Sequence, residues 1–71
     1  METEDIEMRF GVMAVKMGFV SPNHVIDALE IQVKEDLATG KHRPVGAILL
    51  DQGLLTELQM QEVVRELVKY H

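Results

Sequence analysis

Apolar residues recur at helical intervals in four stretches of this chain, and the two apolar runs that could read as strands, 12–15 and 47–50, are short and flanked by glycine and cap signals that decide for helix. Ile6, Phe10, Met13, Ala14 and Met17 predict a first helix near 3–17, opened by Thr3 with Glu4 and Asp5 behind it. A second strip, Met8, Val12 and Val15, runs along another side of that helix. A helix that is apolar on two sides is buried on both, or offers one of them to another chain. Ser21 as N-cap and Pro22 at the first turn open a second helix near 22–39. It carries Val25, Leu29, Val33 and Leu37 four apart with Ile26 and Gln32 beside them, and Gly40 ends it. Pro44 opens a short third helix near 44–52 with Val45, Ile48, Leu49 and Leu50, stopped at Gly53. Thr56 with Gln59 three residues on is a capping-box pattern, which starts a fourth helix near 57–69. Its stripe is Met60, Val63, Val64, Leu67 and Val68, and Glu57, Gln61, Glu62, Arg65, Glu66 and Lys69 face water.

The pattern repeats at an offset of 35 residues. Gly11 through Ser21 returns as Gly46 through Thr56, with Gly18 matching Gly53 and Val25, Ala28 and Leu29 matching Met60, Val63 and Val64. Gly-Phe-Val-Ser and Gly-Leu-Leu-Thr each read as a helix stop, an apolar link and a new N-cap. We therefore expect an all-α fold: two tandem helix–turn–helix repeats, 9–32 and 44–67, joined by a linker, 33–43, in one compact four-helix domain over 1–71. Residues 33–39 have no counterpart in the second copy and should extend the second helix by about two turns, partly free of the core. Gly11 lies inside a helix, where it costs up to about 1 kcal/mol against Ala. Its return as Gly46 points to close approach by a helix or by a ligand.

Composition narrows the function. At 71 residues a single core is only marginally sufficient, which favours a dimer or a larger partner. No cysteine is present, so disulfides and thiolate chemistry are excluded. A net charge of −5 and three aromatic residues argue against binding a nucleic-acid polymer. No run approaches the roughly 18 apolar residues of a spanning helix, and the acidic start is unlike a secretory signal, so we expect no membrane insertion and a cytoplasmic address. Lys41-His42-Arg43, near Lys34, forms a basic turn that is either simply solvated or meets a small anion.

Candidate chemistry is sparse. His24, His42 and His71 lack the spacing of a metal site and read as surface histidines, so neither a metal nor a cofactor is expected. The carboxylates read as solvated, and neither glycine pattern is a phosphate loop. No enzyme is expected from these residues.

Arg9-Phe10-Gly11, then Gly18, Val20, Val25 and Ala28-Leu29-x-x-Gln32, resemble the Arg-Leu-Gly … Gly-x-Leu … Leu-x-x-Ala-Leu-x-x-Gln motif of the N-terminal domain of type II secretion and type IV pilus assembly ATPases. That family carries the motif twice, and its better-matching members bind cyclic di-GMP. In the second copy Gly46, Leu49, Gly53, Leu55 and Met60 fit, but Pro44 replaces the arginine and Leu67 the closing glutamine. Arg43 stands one residue out of register, and the linker is longer than is usual there. The resemblance implies a stand-alone docking or adaptor module of a secretion, pilus or signalling system, without the ATPase that follows in that family. The strip of Met8, Val12 and Val15 is then the surface for a protein partner or a second copy. The alternative it implies is a cyclic di-GMP sensor with a degenerate second motif, using Arg9, Gly11, Gln32, Arg43 and Gly46.

Overall fold

The computed structural model describes residues 2–69, with side chains from Glu7 onward. It contains four helices: α1 (Glu2–Lys16), α2 (Pro22–Thr39), α3 (Val45–Asp51) and α4 (Glu57–Lys69). No strand occurs among the described residues. Pro44 sits at the N-cap of α3 with extended backbone, φ −60° and ψ 150°, rather than inside the helix.

The turns after α1 and α3 are held by the same hydrogen bonds 35 residues apart. Gly18 donates to Val15 and Phe19 to Ala14, at 2.9 and 3.0 Å, and Gly53 donates to Leu50 and Leu54 to Leu49, both at 3.0 Å. Each pattern closes a helix through a left-handed residue, and Gly18 and Gly53 take φ of 80° and 77°. The next helices are capped alike. Ser21 Oγ accepts from His24 N–H at 3.2 Å while Ser21 N–H donates to His24 Nδ1 at 3.1 Å. Thr56 and Gln59 repeat that reciprocal pair at 3.1 and 3.0 Å. His24, read as a surface histidine, is thus the second half of a capping box in the place that Gln59 fills in α4.

α1 and α3 form the centre and touch each other. α1 leans most on α4 and α3 most on α2, while α2 and α4 lie apart. Phe10, Ala14, Val20, Val25, Ala28, Val45, Ile48, Leu49, Leu55 and Val63 build the core. The radius of gyration, 11.5 Å, is that of a compact chain of this length, about 11 Å.

Two expected stripes shift. In α2 the core row is Val25, Ala28 and Gln32, not the four-residue ladder from Val25 to Leu37. Each step of four turns a helix about 40° past a full circle, so the ladder walks off the core. Val33 and Leu37 end up 54% and 83% exposed, and the last two turns of α2 stand clear of the core as the unmatched segment 33–39 led us to expect. In α4, which packs on α1 and α3 only, Val63 is buried and Met60 and Leu67 half-buried, while Val64 and Val68 lie on the exposed edge. Ile6 falls among residues whose side chains are outside the description.

Candidate functional site

The linker is where the polar residues converge, and they are committed to one another. Pro44 has no side-chain acceptor to cap α3, so the first N–H of that helix, from Val45, needs one from elsewhere. Glu7 of α1 supplies it: its Oε1 accepts from Val45 N–H at 2.8 Å, and the side chain is buried. A carboxylate at a helix N-terminus is electrostatically favoured, which makes burial of Glu7 tolerable. Gln32, 4% exposed, donates through Nε2 to the Arg43 carbonyl at 3.0 Å and lies 3.4 Å from His42 Nε2.

His42 is therefore more than a solvated ring. Its Nδ1 is 3.1 Å from Asp36 Oδ2 and its Nε2 3.8 Å from Glu7 Oε2. The hydrogen bond to Asp36, helped by the charges of Asp36 and Glu7, raises its pKa above the ordinary 6.5 against a smaller opposing effect of burial. Arg43 is clamped by Glu35 in two contacts, Nε to Oε1 at 3.1 Å and Nη2 to Oε2 at 2.6 Å, and also reaches Asp51 at 3.2 Å. Of the basic turn, Lys41 alone has no ion-pair partner among the described residues. The free anion site considered for this turn is thus occupied by the protein's own carboxylates.

The five residues of the nucleotide-sensor alternative do not gather in one concavity. Arg9 lines an open groove of about 660 Å³ between α1 and α4, beside Lys16, Met13, Met17, Glu66 and Leu67. Gly11 lines a second groove on the far side of α1, and Arg43 a third beside the linker. Gln32 is turned inward to the linker backbone. Both helical glycines are explained by packing. A Cβ on Gly11 would stand 2.5 Å from Val25 Cγ1, and one on Gly46 would stand 3.0 Å from Phe10 Cζ and 3.3 Å from Met60 Sδ.

The strip on α1 lies open as the spacing predicts. Met8 is 55% and Val12 48% exposed, and Val15 is half-buried. These three face Pro22, Ile26 and Leu29 of α2 across an apolar groove of about 360 Å³ floored by Gly11 and Val25. Lys16 is the one charged side chain along it. Ile26 is 58% exposed and continues a row on α2 through Val33 to Leu37.

Glu7 was not singled out in the sequence, although it sits three before Phe10 and seven before Ala14 on the core row. A charged residue in that row, together with a helix start lacking its own cap, is the signal that finds it. No group of residues suited to a metal ion occurs among the described residues, and none of their helices is long and apolar enough to cross a membrane. Compared with protein-family models, with curated proteins and with solved structures, the chain matches none of them.

Proposed function

We propose that this chain is a non-enzymatic docking or adaptor module that binds another protein through the groove between α1 and α2, in a secretion, pilus or signalling system of the kind its motif resembles. One observation carries the reading: a continuous apolar surface of Met8, Val12, Pro22 and Ile26 on a chain whose polar and charged groups otherwise pair internally or face water. A domain this small gains little from leaving such side chains in solvent, whereas an incoming apolar helix would bury them. The ion pairs of His42 and Arg43 support a structural role for the linker, since they fix α3 against α1 and α2.

A photo-reactive amino acid at Val12, activated in living cells, tests the reading. It should give a discrete adduct, while the same group at Lys41 should not. Absence of any adduct at Val12 beyond that at Lys41 would remove the docking function. Cyclic di-GMP distinguishes the sensor alternative: calorimetry should show no binding in the micromolar range. Tight binding that is lost on Arg9→Ala would replace the adaptor with a sensor.

A further inference from the structure

The ring of His42 stands where α1, α2 and the start of α3 meet, and its two nitrogens face different demands. Nδ1 lies 3.1 Å from Asp36 Oδ2 and donates to that carboxylate. Asp36 Oδ1 is buried and has no hydrogen-bond partner, so the ring is the group that neutralises this side chain. Nε2 faces two neighbours of opposite kind. Gln32 Nε2, 3.4 Å away, is a donor and suits a bare Nε2. Glu7 Oε2, 3.8 Å away, is an acceptor and suits a protonated one. The neutral ring therefore keeps its proton on Nδ1 and takes Gln32 as the partner of Nε2, whereas the charged ring turns Nε2–H to Glu7.

Glu7 carries that change onward. Its Oε1 accepts from Val45 N–H at 2.8 Å, so the carboxylate that faces the ring is also the cap of α3. With the ring charged, Glu7 is satisfied at both oxygens. With the ring neutral, a lone pair points at Oε2, and a buried carboxylate is left with the Val45 N–H. The other charges nearby do not make up the difference. Lys41 and Arg43 flank His42 in the linker, and Arg43 is taken by Glu35 of α2 and Asp51 of α3. Those two pairs involve no histidine and hold the linker to α2 and α3 whatever the ring's charge, so what the ring varies is the tie to α1.

We propose that His42 is a proton-operated latch between α1 and the linker: the charged ring bridges Glu7 to Asp36, and loss of its proton hands Nε2 to Gln32 and loosens Glu7 from the start of α3. The latch is closed at acid pH and opens as pH rises through the titration of the ring. It does not depend on the docking reading. Nuclear magnetic resonance of the purified chain between about pH 5 and about pH 8 tests it. The neutral ring should show its proton on Nδ1, and the Val45 amide proton should move upfield with the same midpoint as the ring. In His42→Gln the Val45 amide should stay in place over that range. Asp36→Asn leaves the Glu7 cap intact, and it should move the ring and Val45 together to a lower midpoint. Glu7→Gln should lower the midpoint of the ring and abolish the movement of Val45. A Val45 amide that stays still while the ring titrates would overturn the latch. So would a neutral ring protonated on Nε2, or a midpoint indifferent to Glu7→Gln.

Discussion

At the scale of single residues, stability turns on polar groups placed where the apolar pattern has none. Glu7→Ala would leave Val45 N–H buried without its acceptor, a loss of about 1–3 kcal/mol. Glu7→Gln keeps an acceptor oxygen and should cost less, and chemical denaturation of the two variants checks the order. His24→Gln should be tolerated because Gln59 fills the same position in α4, whereas His24→Ala should lose on the order of 1 kcal/mol of cap stabilisation. His42 makes stability depend on pH. Its pKa is raised in the folded chain chiefly by the Asp36 hydrogen bond, so folding favours the protonated ring. That contribution is complete below the ordinary 6.5 and is lost as pH rises through the raised folded value. The thermal midpoint should therefore fall between about pH 6 and about pH 8 by more in the wild type than in His42→Gln. An equal fall in both would remove His42 as the cause.

At the scale of elements, the helices were legible because each carries its own punctuation. Ser21 with Pro22, Thr56 with Gln59, and the glycines at 18 and 53 marked two starts and two stops before any packing was known. The start of α3 was less so, since its cap comes from Glu7, 38 residues away in sequence. Likewise the row from Val25 to Leu37 could not be sorted into core and surface without knowing that α1 and α3 cover only one flank of α2. The two helical glycines give a contrast between elements. Gly11→Ala drives a Cβ into the stiff, branched Val25, and overpacking of this kind costs about 1–3 kcal/mol, more than the helix propensity gained. Gly46→Ala meets only the ends of Phe10 and Met60, which can give way, so it should be closer to neutral. Thermal unfolding should rank Gly11→Ala below Gly46→Ala, and adding Val25→Ala should recover part of the Gly11→Ala loss. The reverse ranking would mean that α1 and α2 are not in the contact described.

At the scale of the molecule, Glu35, Asp36, His42 and Arg43 of the linker serve the fold, and an apolar surface is left facing outward between α1 and α2. The sequence already held that surface in Met8, Val12 and Val15, but its opposite wall of Pro22, Ile26 and Leu29 emerged only when the two helices were set side by side. The site residues offered for a nucleotide were legible as a motif and not as a site, because spacing along a chain does not report which groove a side chain enters. Arg9, Gly11 and Arg43 enter three. Leu58 of α4, 73% exposed, is the internal control, an apolar side chain away from the groove. Hydroxyl-radical footprinting of the chain in lysate of its own host, against the same chain purified and dilute, tests the docking face most directly. Met8, Val12 and Ile26 should be protected in the lysate and Leu58 should react equally in both; protection of Leu58 with Met8 unchanged, or no protection anywhere, would contradict the account.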